Sequence, residues 1–253
     1  MGVLRWLTVI ATIAMITVNG LANALPINGK TTGDISDGFE ILFTPPGYVF
    51  SIWGVIYLGL IAFSIAQALP AYSERPLVRA LRPWYLLNTA ANASWIFAWH
   101  YELFGLSLLI MLAILASLVK INAEIAEHPP RELGLLACVQ APFSLYFGWI
   151  SIATFANITV VLWDAGVTTP LSDPVVTLMI LAAATGIGVF VALRRSDPVY
   201  AGVFVWALSG IAVKHAELEL LFGGALALAA VCTGVFGWSS VMAWRQRRGT
   251  LVA

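Results

Sequence analysis

The side chains in this chain that could do chemistry are aromatic rings and amides repeated at helical spacing. Phe50, Trp53 and Tyr57 recur at i, i+3 and i+7, so they share one helical face. Asn88, Asn92, Trp95 and Trp99 fall at i, i+4, i+7 and i+11 on a second stripe. Pro142, Tyr146, Trp149, Ala153 and Asn157 form a third, and Asn19 and Asn23 lie one turn apart near the start. None of these groups exchanges protons near neutral pH. They stack on flat apolar surfaces and offer a few hydrogen bonds, which is the chemistry of recognition. Trp53, Tyr57, Asn88, Asn92, Trp95, Tyr146, Trp149 and Ala153 are therefore the candidate ligand-contact residues. One aromatic stripe alone reads as core; several stripes at matching depth read as a cage.

Groups for other chemistry are scarce. No long apolar segment contains a carboxylate, a lysine or a histidine in its middle, which disfavours a proton-coupled transporter. His100, His128 and His215 fall at segment ends or in loops and read as solvated or interfacial. "WHYE" (Trp99 to Glu102) and "KHAELE" (Lys214 to Glu219) each offer too few ligands for a metal, so no metal site is expected. "GKTTGD" lacks the preceding strand and glycine of a phosphate loop, and no Ser-His-Asp or HExxH pattern occurs. Cys138 and Cys232 lie far apart in apolar stretches and read as small core residues. A binding protein is favoured over an enzyme.

The elements that must hold these stripes are membrane spans. Of 253 residues, 60% are hydrophobic and only 10% charged, with mean hydropathy +0.89; soluble domains are about a quarter charged. The net charge of +0 gives no basis for nucleic-acid binding. A bilayer-crossing helix needs about 20 apolar residues. Eight segments approach this, at 5–25, 47–69, 83–100, 103–120, 133–160, 174–193, 198–214 and 220–244, the seventh being the shortest. With eight spans, Arg5, Arg75, Arg79, Arg82, Lys120, Arg131, Arg194, Arg195, Arg245, Arg247 and Arg248 share one side, eleven of 13 basic residues. Only Lys30 and Lys214 face the other. The positive-inside rule then puts both termini in the cytoplasm and the loop from Pro26 to Phe43 outside. Residues 1–24 also resemble a signal peptide ending in Ala22-Asn23-Ala24, although Leu25-Pro26 directly after that site disfavours cleavage. In this orientation Trp53, Tyr57, Trp95, Trp99, Trp149 and Ala153 lie in the outer halves of their helices. Asn88, Asn92 and Tyr146 lie nearer the middle, making an aromatic cage with an amide floor beneath the outer loop. That loop, carrying Lys30, Asp34, Asp37 and Glu40, reads as a solvated acidic lid over helices one, two and five.

The second span begins with Phe43-Thr44-Pro45-Pro46-Gly47-Tyr48-Val49-Phe50-Ser51-Ile52-Trp53. Thr44 is placed to cap the helix, with Pro45 and Pro46 in its first turn, where missing N–H groups cost little. Gly47 reads as a point of close backbone approach between lid and helix.

"FTPPGYVFSIW", "LLNTAANASWIF" and "PFSLYFGWISIATFAN" together resemble the TspO/MBR family of tryptophan-rich sensory or translocator proteins. The likeness covers residues 1–163 and implies an all-α, five-helix transmembrane domain, followed at 164–253 by a three-helix transmembrane extension. It implies a ligand site beneath the first loop, with Trp53, Tyr57, Asn88, Asn92, Trp149 and Ala153 at matching positions and Pro45, Pro46 and Gly47 at the helix entry. It also implies a bacterial inner-membrane receptor, sensor or carrier for porphyrins, other tetrapyrroles or sterol-like molecules, with a homodimer as candidate assembly. A tetrapyrrole would be a ligand held by stacking, not a required cofactor, since no histidine is placed for axial ligation. An enzyme that modifies a bound pigment or lipid, and a scaffold for a partner membrane complex, are the competing readings. Two departures stand out. The interval from Gly47 to Trp53 is one residue shorter than the family's, which rotates Trp53 by about 100° unless the helix start absorbs it. Trp149 follows Pro142 by seven residues instead of four, so Tyr146 competes with it for the pocket position.

Overall fold

The computed structural model describes residues 2–25 and 27–249, the side chains of 247–249 excepted. Pro26 and the side chains of Arg247 and Arg248 thus lie outside the described residues. The chain is all α. The elements are α1 (Gly2–Ala24), α2 (Thr32–Asp37), α3 (Ile52–Ala68), α4 (Pro70–Ser73), α5 (Pro76–His100) and α6 (Phe104–Glu127). There follow α7 (Leu133–Leu135), α8 (Ala141–Asp164), α9 (Asp173–Arg195), α10 (Pro198–Lys214) and α11 (Glu219–Gly249). A 3-10 turn, Gly47–Ser51, leads into α3, and a π-turn, Leu136–Gln140, leads into α8.

Each of the eight predicted segments corresponds to a long helix. Six of the helical stretches are long and apolar enough to cross a membrane: Gly2–Ala24, Gly47–Ala68, Phe104–Glu127, Leu133–Asp164, Asp173–Arg195 and Glu219–Gln246. The two that fall short do so for different reasons. α10 has 17 residues, whereas α5 is long but carries the amides and tryptophans of the second stripe, which lower its hydropathy.

The chain forms two compact units, residues 1–40 with 52–150, and residues 41–51 with 151–253. The border between the two units falls inside α8, and the entry segment 41–51 goes with the last helices.

In the first unit α3 and α8 approach at Gly59, where a Cβ would lie 2.8 Å from Pro142 Cβ. Only glycine permits that spacing. Pro142 also accounts for the π-turn before it: its ring would clash with the carbonyl four residues back in a regular helix, and the wider turn removes the conflict. Phe63, Tyr85 and Phe143 pack edge-to-face with ring centroids 4.9, 4.8 and 5.7 Å apart. The Tyr85 hydroxyl is satisfied by Thr12 Oγ1 of α1 at 3.0 Å.

Arg82, which directly precedes the predicted segment 83–100, lies inside a helix. α5 starts at Pro76, which takes the first helical position, so Arg82 lies within the helix and is only 3% exposed. Its Nε donates to Gln67 Oε1 at 2.9 Å, and its Nη2 donates to the carbonyls of Gln67 and Ser73 at 2.9 and 2.7 Å. Gln67 Nε2 in turn donates to the Arg5 carbonyl at 3.0 Å. The guanidinium thus closes the ends of α1, α3 and α4 onto α5 through carbonyl oxygens that would otherwise be buried unpaired. Arg82→Met is expected to lower the unfolding midpoint in detergent, at a cost of about 1–3 kcal/mol for the stranded acceptors. An unchanged midpoint would show that the clamp does not contribute.

Candidate ligand-binding site

The site begins with how α3 starts. A residue preceding proline is pushed out of the helical region, so Thr44 and Pro45 are both excluded from it by the proline that follows. Helical pairing therefore begins past both prolines, with Val49 N–H donating to the Pro46 carbonyl at 3.0 Å. The expected Thr44 cap and proline first turn are replaced by the 3-10 turn Gly47–Ser51. Gly47 is exposed, and a Cβ there would meet nothing within 4 Å, so it is not a point of close approach.

A 3-10 turn advances about 120° per residue against about 100° in an α-helix, so these five residues are wound about 100° further than an α-helix would be.

Trp53 stacks on Tyr57 with centroids 5.4 Å apart and an interplanar angle of 27°. It meets the edges of Tyr146 at 5.8 Å and Trp149 at 6.4 Å. Tyr146 and Trp149, expected to compete for one position, both belong to the cluster. Both are buried, while Trp53 and Tyr57 remain half-buried. Below them, Asn92 Nδ2 donates to the Tyr146 hydroxyl at 2.7 Å, and Asn92 Oδ1 accepts from Asn19 Nδ2 at 2.8 Å. Asn19 was visible as part of a pair in α1; its partner Asn23 is exposed and donates back to the Asn19 carbonyl at 3.0 Å.

Asn88 is buried and its side chain also reaches the Tyr146 hydroxyl, while its amide nitrogen donates to Ser117 Oγ of α6 at 2.9 Å and to the Ile114 carbonyl at 3.4 Å. Trp95 stacks on Trp99 at 5.2 Å, and its buried indole N–H has no hydrogen-bond partner. Ala153 lies one turn beyond Trp149 on α8, in the part that belongs to the second unit. Pro45, Pro46 and Gly47 belong to that second unit as well.

His100 was not legible as a site residue. It is fully buried at the end of α5, where Nδ1 meets the Ile27 carbonyl at 3.1 Å and Nε2 meets Thr32 Oγ1 at 3.0 Å. Asn28 Nδ2 donates to the His100 carbonyl at 3.1 Å, and Trp99 Nε1 donates to the Thr32 carbonyl at 3.4 Å. Phe39 packs on Trp99 and Phe104 at 6.2 and 5.2 Å, and Lys30 pairs with Glu102. The loop is thus docked on the end of α5 and the start of α6, with His100 and Glu102 of "WHYE" taking part. Elsewhere in this unit, ligand atoms of Glu124, Glu127 and His128 come within 4.8 Å of one another at the end of α6.

The loop also folds within itself. Thr31 and Asp34 form a reciprocal cap on α2: Thr31 N–H donates to Asp34 Oδ2 at 2.8 Å, and Asp34 N–H to Thr31 Oγ1 at 3.1 Å. The Thr31 backbone bond, with its hydroxyl, holds the Asp34 carboxyl below the usual carboxylate range.

A family model described as TSPO-like protein matches residues 5–238. The chain belongs to the TSPO-like protein family. The match runs past residue 163, so α9, α10 and most of α11 fall inside the family's pattern. Comparisons with curated proteins and with solved structures gave no match. Membership makes the chain an integral membrane protein of a family associated in general terms with sensing and binding.

His100→Ala is expected to loosen the loop so that trypsin cleaves after Lys30 faster than in the wild type; an unchanged rate would mean the loop is held without it. The Asp34 cap has a definite sign. A carboxyl titrating lower when folded stabilises above its unfolded value, near pH 4, and loses that contribution as pH falls through the folded value. Amide protection of residues 32–37 should therefore persist at neutral pH and fade below about pH 4. Protection independent of pH would remove the carboxylate from the cap.

Proposed function

We propose that this TSPO-like protein is a receptor, sensor or carrier that takes up a flat, mostly apolar ligand of tetrapyrrole or sterol-like type. The ligand would lie against Trp53 and Tyr57, with Tyr146 and Trp149 behind them. The observation that carries this reading is the burial difference within the cluster. Tyr146 and Trp149 are buried, whereas Trp53 and Tyr57, stacked on each other, keep part of their faces uncovered. An uncovered aromatic surface backed by rigid rings suits stacking with a planar ligand.

The lipid bilayer is its environment, with both termini on the cytoplasmic side of a bacterial inner membrane. Charge supports that orientation: with eight spans, eleven of the 13 basic residues share the side of the termini and only Lys30 and Lys214 face the other. A second copy of the chain is the candidate assembly partner.

The test is a protoporphyrin titration of the purified protein, followed by porphyrin absorbance. Aromatic contacts contribute about 0.5–1.5 kcal/mol each beyond area burial, so Trp53→Ala with Trp149→Ala should weaken binding about tenfold or more. Saturable binding of unchanged affinity in the double variant would move the site elsewhere.

A further inference from the structure

Arg82, in the first unit, is a buried cation whose hydrogen bonds all go to neutral oxygens. Its Nε and Nη2 donate to Gln67 and Ser73, and Nη1 has no partner among the described residues. Gln67 ties a second arginine into the same corner. Its Nε2 donates to the Arg5 carbonyl at 3.0 Å while its Oε1 accepts from Arg82 at 2.9 Å. One amide therefore sets the first turn of α1 against α5. Arg5 Nε is buried there without a hydrogen-bond partner, and Arg5 Cζ lies 5.3 Å from the ring centroid of the exposed Trp6.

The charges nearby do not neutralise this pair. Arg5 and Arg79 are the cations that act on Arg82, and Glu74 is the one carboxylate that does. Glu74 is exposed and faces Arg79 at 4.0 Å, and Glu132 is taken by Arg75 at 2.7 Å. Among the described residues neither Arg5 nor Arg82 has an ion-pair partner. Carbonyl oxygens satisfy the N–H groups of a buried guanidinium without cancelling its charge, and a charge withdrawn from water needs a counter-charge. The corner thus carries uncompensated positive charge, and a planar guanidinium fork fits the oxygens of a phosphate. Trp6, exposed beside Arg5, marks the level of the lipid headgroups, where tryptophans of membrane helices concentrate. A phospholipid phosphate is the anion present at that depth.

We propose that Arg5 and Arg82 form a phosphate-binding site at the end of the first unit where α1 begins and α3 ends, occupied by the headgroup of an anionic phospholipid. Arg82, fixed by its three bonds, presents Nη1, and Arg5 supplies the second donor from α1. A lipid held this way joins α1 to α5 by charge where Gln67 joins them by hydrogen bonds.

The experiment follows the unfolding midpoint of the full chain in a neutral detergent as phosphatidylglycerol is added. Phosphatidylcholine at the same concentrations and inorganic phosphate at matched ionic strength are the comparison arms. Phosphatidylglycerol should raise the midpoint saturably, and the other two should do much less. Arg5→Gln keeps the backbone carbonyl that Gln67 uses, and should raise the half-saturating phosphatidylglycerol concentration about tenfold or more. Arg245→Gln, near the end of α11, should leave that concentration unchanged. If Arg5→Gln does not fold, Arg5→Lys carries the test, since it keeps the charge, loses the fork and should weaken binding by less. An equal response to inorganic phosphate, lost in Arg5→Gln, would support the site with free phosphate as its occupant. No saturable response to either, a response unchanged in the Arg5 variant, or one lost equally in Arg245→Gln would overturn the proposal.

Discussion

The first unit depends on one amide. Asn92 donates to the Tyr146 hydroxyl and accepts from Asn19, so a single side chain joins α1, α5 and α8. In a hydrocarbon setting there is no water to satisfy these groups. Each interhelical bond is worth only about 0.6 kcal/mol on average in comparable membrane proteins, with a maximum near 1.7. Its greater effect is on register. Sliding or rotating any of the three helices would leave a buried amide or hydroxyl unpaired. Tyr146 is thereby held with its ring edge toward Trp53, and the geometry of the aromatic cluster follows from that fixed point.

The same logic recurs at both ends of the unit, with different side chains. Arg82 serves three acceptors on Gln67 and Ser73 where α3 and α4 end. His100 serves Ile27 and Thr32 where the first loop lies on α5. In each case a long or bifunctional polar side chain leaves a helix to satisfy backbone or hydroxyl oxygens of a neighbouring connection. Between these ends the interior holds rings and shorter polar contacts, Thr12 to Tyr85, Asn88 to Ser117 and the Asn92 relay.

The stripes themselves were readable, because helical period and the cost of burying amides in lipid point the same way. Trp53 meets Tyr57, Tyr146 and Trp149, Asn92 bonds to Tyr146, and six of the helical stretches follow from length and hydropathy. Three things were not readable. The start of α3 depends on how two consecutive prolines exclude their predecessors from the helix, which displaces the cap by local sterics rather than pattern. Asn88 sits on the same stripe as Asn92 and also reaches Tyr146, yet its amide nitrogen bonds to Ser117 of α6. His100 looked interfacial because nothing in the loop's composition reveals that Ile27 and Thr32 will present oxygens to both ring nitrogens. The hydrogen bond from the Trp206 indole of α10 to the Val49 carbonyl was hidden for another reason, since it joins residues 157 positions apart.

The central claim is that the half-covered face of Trp53 and Tyr57, fixed through Tyr146 and Asn92, is where the ligand lies. An experimental structure of the full chain with bound protoporphyrin tests this most directly. The account predicts the macrocycle stacked within van der Waals distance of Trp53 and Tyr57, with Asn92 still bonded to Tyr146. A macrocycle bound elsewhere, with the Trp53 cluster unchanged and uncontacted, would contradict it.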